Sequence, residues 1–319
     1  MRALLTAGLL SLFLGALFQP PNTYSADSSS SVFELGSGVV VDPGTGALYL
    51  MNPQHGIDAV ELGSGKTIWR SDAAGKPLTA FDDRLVAQAE AAAGIQALPI
   101  VVVNSATHGE PILTVSVPLS PPAFASIDNA MGSSFTASAS MSGGEIEVSW
   151  RFSQRAGLGR PGLEPPDLYG AARINLKTGR VQMSPASSTK PVSAVDQPIP
   201  TIPVEPGFAL VMPSADHQTY LATKPLGTDA TGWTDYIWAI YSTSTREKLA
   251  ELRMPTSAAS FFVWRSILVY VSRPYGRRIN QNWISEPLEL RALDLSTGRE
   301  MWKVPIRDTA YRGPLPPRP

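Results

Sequence analysis

The sequence predicts an all-β fold, a β-propeller of four-stranded antiparallel blades, and three observations carry that prediction. A strand–turn–strand frame recurs along the chain, a second strand pair precedes each copy, and no segment beyond the N-terminus holds a capped apolar period of 3.6 residues. The composition agrees: 26 Gly and 29 Pro supply frequent turns, while 43% hydrophobic residues leave enough apolar surface for a core.

The frame is clearest at Ala292-Leu293-Asp294-Leu295-Ser296-Thr297-Gly298-Arg299-Glu300-Met301-Trp302. Asp294 and Ser296 suit turn entry, Thr297 continues the turn, and Gly298 supplies the positive φ of a tight hairpin. Trp302 then lies on the return strand, where its ring can cover a neighbouring sheet. Residues 59–69 repeat the frame with Gly65 and Trp69. Residues 173–183 keep Asn175, Thr178 and Gly179, with Met183 in the tryptophan place. Residues 239–249 form a degenerate copy, with Thr245 as the glycine equivalent and Leu249 in the tryptophan place. Residues 101–115 form a weaker fifth copy around Asn104 and Gly109.

Upstream strand pairs complete each unit. Residues 260–264 turn at Arg265-Ser266 into 267–271, 208–212 turn into 220–222, and 135–141 turn at Ser142-Gly143-Gly144 into 146–152. In the last of these, Ile146, Val148, Trp150 and Phe152 alternate with Glu147, Ser149 and Arg151, a period of two. Residues 84–87 are a second strand, and 38–41 turn at Pro43-Gly44-Thr45-Gly46 into 47–51. Five four-stranded blades, A to D, follow from this count. Two long gaps, 118–134 and the Pro-rich 184–206, leave six or seven blades open.

The chain divides into an export signal (1–26), the propeller (27–310) and a Pro-rich tail (311–319). Arg2 precedes an uncharged apolar run over residues 3–18, broken by Pro20 and Pro21. That run is shorter than the roughly 20 residues of a membrane span, so cleavage after Ser25 or Ala26 is expected, with an uncleaved anchor as the alternative. The expected location is periplasmic or secreted, with no membrane insertion after cleavage. The charge balance, 26 Lys+Arg against 27 Asp+Glu, offers no field for nucleic acid. The absence of cysteine excludes disulfides, thiolate metal sites and a cysteine nucleophile.

Residues 292–302 resemble the A-x-D-x-x-T-G-x-E-x-W docking motif of pyrroloquinoline-quinone (PQQ)-type propellers, and match it at each specified position. The resemblance covers roughly residues 35–305 and is strongest at the last and first blades. It implies radial blades with motif tryptophans packed between them. It does not imply PQQ binding, since many relatives are non-enzymatic scaffolds. Quinoprotein alcohol dehydrogenases carry an adjacent cysteine pair that this chain lacks, and their calcium ligands match no position here. No cofactor, metal or catalytic set is therefore predicted.

Other short motifs read as turns. Gly63-Ser64-Gly65-Lys66-Thr67 lacks the first P-loop glycine, since Val60 stands there, and a strand follows where a phosphate-binding helix is needed. Gly157 to Gly162 fits G-x-G-x-x-G, but Pro161, Pro165 and Pro166 forbid the helix. His55, His108 and His217 fall on a B–C loop, a C–D turn and an A–B turn, and so do not converge.

Function is expected on the face bearing the B–C loops, which are unequal: 52–56 is short, while 154–167, 225–235 and 273–287 are long. The fourth holds Trp233 and Asp235; the fifth holds Arg277, Arg278 and Trp283. Arg and Trp recur at binding hot spots. The expectation is a binding or scaffold module for a protein, peptide or glycan, acting as a monomer or within an envelope complex. The alternative is a periplasmic oxidoreductase dependent on PQQ and calcium.

Overall fold

The computed structural model of the chain describes residues 31–36, 38–89, 97–119, 134–153, 167–187, 204–230, 233–272, 275–279 and 282–307. The segments expected to be signal and tail, the third B–C connection up to residue 166 with its G-x-G-x-x-G, and most of both long gaps lie outside these residues. Every described element is a strand, and the strands form five antiparallel sheets in chain order plus one hairpin. The fold is a β-propeller of five blades among the described residues.

Blade one contains β1 (Phe33–Gly36), β2 (Val39–Asp42), β3 (Ala47–Met51), β4 (Ile57–Glu61) and β5 (Thr67–Ser71). It has one strand more than expected, because β1 adds to the A strand β2. Blade two contains β6 (Lys76–Phe81), β7 (Arg84–Gln88), β8 (Ala97–Asn104) and β9 (Glu110–Pro118). Blade three contains β10 (Ser134–Ser142), β11 (Glu145–Ser153), β12 (Leu168–Asn175) and β13 (Val181–Ser187). Blade four contains β14 (Leu210–Pro213), β15 (Thr219–Thr228), β16 (Thr234–Ser242) and β17 (Lys248–Met254). In blade five, β18 (Phe261–Trp264), β19 (Ile267–Ser272), β22 (Glu289–Asp294) and β23 (Glu300–Pro305) pair in that order. The hairpin β20 (Tyr275–Ile279) and β21 (Asn282–Glu286) is inserted between β19 and β22.

The period of two sends alternate side chains to opposite neighbours. Val39 and Val41 join a core with Phe262, Val269 and Ala292 of blade five. Val40 joins one with Leu85, Val101 and Val103 of blade two. Similar clusters seal blade two to blade three, through Ile100, Val102, Ile146 and Val148, and blade four to blade five, through Trp238, Ile240, Phe261 and Leu268. Blades three and four share no such cluster among the described residues. Blade four instead has a cluster of its own, Tyr220, Ala222, Ala239 and Tyr241, with Val204, Phe208 and Val211 packed against it.

The recurrent turn is built as the sequence suggests. Asp294 Oδ1 accepts the N–H groups of Ser296 and Thr297 at 3.1 and 2.8 Å and their hydroxyls at 2.6 and 2.8 Å. Asn175 and Asn104 accept from the equivalent N–H groups of their own turns. Gly65, Gly109, Gly179 and Gly298 all have positive φ, near 70°. In blade four this residue is Arg246 (φ 61°), not Thr245, because the Arg246 N–H donates to Ser242 O as Gly298 N–H does to Asp294 O. Ala250, not Leu249, therefore holds the tryptophan place there.

The motif tryptophans dock onto the next blade. Trp302 donates from Nε1 to Leu62 O at 3.0 Å and lies on Gly65, where a Cβ would come within 2.6 Å of its ring. Trp69 donates to Ser105 O at 2.8 Å and lies on Gly109, again leaving 2.6 Å for a Cβ. Leu113 lies over Gly179 and Leu252 over Gly298, each leaving 3.2 Å.

A β-bulge aims these residues. In blades one, two, four and five, the D strand slips register at Ile68, Ile112, Leu249 and Met301, immediately before the docking place. The extra residue flips the following side chain to the sheet face turned toward the next blade. Blade three has no slip there: Val181, Gln182 and Met183 pair in sequence with Ile174, Arg173 and Ala172. Met183 therefore shares the face of Ala172 and Ile174, which belongs to the blade-two core, and is 40% exposed. The expected tryptophan-like role of Met183 is not realised.

Candidate functional site

Strand polarity puts the ends of the B strands, the starts of the A strands and the B–C connections at one end of the propeller. Met51, Gln88 and Ser272 end B strands there, and Lys76 begins an A strand. This end carries buried polar groups. Asn52 donates from Nδ2 to Asp58 at 2.6 Å, and Asp58 accepts from Arg70 Nε at 2.8 Å. The Arg70 guanidinium is raised above its ordinary value, chiefly by that hydrogen bond. Lys76 is 3% exposed, and burial lowers its ammonium below the ordinary lysine value, partly offset by the charge of Glu34. Glu289 is buried and bonded to Arg291, with Nη2 at 2.7 Å.

Arg307, just after the last strand, fastens this end. Its N–H donates to Met51 O at 2.9 Å in blade one, and Nη2 donates to Gly75 O at 2.8 Å at the entry of blade two.

The long B–C connections of blades four and five are hairpin arms, which corrects the expectation of loops. In blade four the ladder between β15 and β16 continues to Thr228 opposite Thr234, with their hydroxyls 2.8 Å apart. Asp229 closes the tip, its carboxylate accepting from Trp233 N–H at 2.9 Å. Asp235 is partly buried and paired with Arg253 Nη2 at 2.6 Å on the adjacent strand. That pairing gives Asp235 a structural role that its position in the sequence did not reveal. In blade five, Arg278 stands opposite Trp283 and Arg277 opposite Ile284 in the β20–β21 ladder. The side chains of Arg277, Arg278 and Trp283 lie outside the described residues.

Trp233 and Asp235 thus share one arm, and Arg277, Arg278 and Trp283 share the other, on neighbouring blades. Lys76, Gln88 and Arg307 were not anticipated as features of this end. They belong to no recurring motif, and only the strand ends bring them together.

Among the described residues, no three His, Cys, Asp or Glu side chains are grouped so as to hold a metal ion. Among the described residues, no helix is long and apolar enough to cross a membrane.

No family model and no curated protein sequence matches the chain. Among solved structures, the chain is similar to a eukaryotic initiation factor at 7% identity and a TM-score of 0.32, covering 87% of this chain and 88% of that one. It is similar to the Myceliophteria thermophila Cps50 (Swd1) beta-propeller domain at 8% identity and a TM-score of 0.27, covering 86% and 88%. It is similar to a europium-containing methanol dehydrogenase at 10% identity and a TM-score of 0.23, covering 82% and 67%. Likenesses this distant carry no argument about activity. The propeller assignment stands on the five sheets and their docking.

Proposed function

We propose that this chain is an exported, non-enzymatic propeller of the PQQ-like repeat type. It engages a protein, peptide or glycan partner with the arms of blades four and five. The observation that carries this reading is the construction of two of the three long B–C connections as paired hairpins, at neighbouring blades, from segments containing Trp233, Arg277, Arg278 and Trp283. Paired strands present contact residues with less ordering cost on binding than open loops do. Aromatic and arginine side chains are the groups such interfaces depend on most.

The test compares the wild-type chain with Trp283→Ala and with Arg277→Ala/Arg278→Ala. A photo-crosslinker placed at Ser285 in each is activated in envelope extract. The wild-type adduct should be specific and should fall at least tenfold in both variants at unchanged melting temperature. Equal crosslinking in all three would overturn the assignment of the arms. A melt with and without PQQ plus Ca²⁺ addresses the oxidoreductase alternative. A saturable upward shift of several degrees would favour that alternative by linkage.

A further inference from the structure

We propose that blade four carries a binding site for a small oxyanion, a carboxylate or phosphate group held between the hydroxyls of Tyr220 and Tyr241 and the guanidinium of Arg246. The site lies at the C–D turn, the end of blade four away from its arm, so it does not depend on the arms.

The two tyrosines are neighbours by register. Tyr220 of β15 stands opposite Tyr241 of β16, so both side chains leave the same face of the sheet. Their rings stack with centroids 5.0 Å apart, 6° from parallel. The rings are 2% and 5% exposed, with Val204, Phe208 and Val211 packed against their cluster. Among the described residues, neither hydroxyl has a hydrogen-bond partner. Burial is the main cause that raises both phenols above their ordinary value; Tyr241 adds to the rise at Tyr220, and Glu205 to that at Tyr241. Both therefore stay protonated at neutral pH, and each keeps an O–H to donate. A buried hydroxyl without a partner is costly, and two on parallel rings suit one shared acceptor.

Arg246 supplies the charge. It takes a φ of 61° at the place where the other blades put Gly65, Gly109, Gly179 and Gly298. Its N–H donates to Ser242 O at 2.9 Å, and Ser242 stands opposite Thr219, the neighbour of Tyr220. The exposed Arg246 is thus close enough for its charge to offset part of the rise at Tyr220. Lys248 is already held by Glu205 at 2.6 Å and Glu251 at 3.2 Å, so the cation open to a ligand is Arg246. Two neutral donors and a guanidinium match a group with at least two oxygens and a negative charge. The close packing of the tyrosines restricts the ligand to one such group.

Tyrosine labelled with ¹³C at Cζ reports hydrogen bonding at each phenol, and Tyr220→Phe and Tyr241→Phe identify the two resonances. Sodium phosphate and, separately, sodium acetate are titrated at constant ionic strength made up with chloride. Both resonances should move together and saturate with at least one of the ions. Saturation with phosphate alone would mark a phosphate site, and with acetate alone a carboxylate site. Arg246→Gly suits the left-handed turn and should not lower the melting temperature. In that variant the half-saturation concentration should rise at least tenfold. Resonances that stay still or fail to saturate in both titrations would overturn the site, as would equal saturation in wild type and Arg246→Gly.

Discussion

Trp302 does three things at once: it fills the junction of blades five and one, bonds Leu62 O, and covers Gly65. Trp302→Ala should cost about 3–5 kcal/mol, as large aromatic truncations in cores do. Trp302→Phe keeps much of the packing, leaves Leu62 O unpaired, and should cost about 1–3 kcal/mol. Urea titration measures both, and a loss under 1 kcal/mol for the alanine variant would remove Trp302 from the closure. The glycine beneath it is equally constrained, by a φ of 69° and by the ring. Gly65→Ala should therefore destabilise far more than Gly143→Ala, where φ is 60° but nothing lies within 4 Å of a Cβ.

Asp294 gives a pH prediction. Its carboxylate is held below the ordinary value of 3.8, first by the hydroxyls of Ser296 and Thr297 and then by the Thr297 N–H. The folded chain binds this proton less readily than the unfolded chain. The contribution is therefore present above 3.8 and is lost as pH falls through the lower folded value. Asp294→Asn keeps an oxygen acceptor, as Asn175 and Asn104 do in their turns. Its melting temperature should trail wild type at neutral pH and converge with it in acid. A gap that stays constant down to pH 2 would show that the charge is irrelevant.

At the scale of elements, the arms and the blades separate cleanly. The β20–β21 hairpin is its own two-stranded sheet, so replacing residues 275–286 with a short Gly-Ser turn should leave the melting temperature nearly unchanged. A drop of ten degrees would mean that the arm props blade five. In the other arm, the Asp235–Arg253 pair is solvent-facing, and Arg253→Ala should cost less than about 1 kcal/mol.

Elements were also the scale at which the sequence was most legible. The turn frame around Asp294, Gly298 and Trp302 located each C–D pair because it demands particular residues. The alternation at Ile146 to Phe152 located β11. The arms were read as loops, since segments such as Tyr275 to Glu286 mix charge, Gly and Asn and have no apolar alternation. The bulges left no local signal at all. Met183 stands at the tryptophan spacing in residues 173–183, and only strand register shows that it faces the other way. Lys76 and Arg307 were invisible for a related reason: their partners lie in other blades or on backbone carbonyls.

At the scale of the whole molecule, the first and last blades share no strand. The first sheet is made wholly of N-terminal strands and the last wholly of C-terminal ones. Side-chain docking and Arg307 must do the closing. Arg307→Ala removes the bond to Gly75 O while leaving the backbone bond to Met51 O, and should cost about 1–3 kcal/mol. Exchange of the residue-307 amide, which donates to Met51 O, should quicken most. Unchanged exchange there would place the closure elsewhere.

The D-strand bulges carry a consequence for how the molecule behaves among its copies. A D strand is the outer edge of its blade, and an edge bearing Ile68, Ile112 or Met301 on its exposed side invites another edge to zip against it. The inserted residue breaks the regular spacing of donors and acceptors at that point. A second strand cannot run past it in register. The same irregularity that turns a tryptophan toward its neighbour thus keeps the rim from sticking to rims of other molecules. Blade three, whose rim is uninterrupted at that position, carries the exposed Gln182, Met183 and Ser184 there.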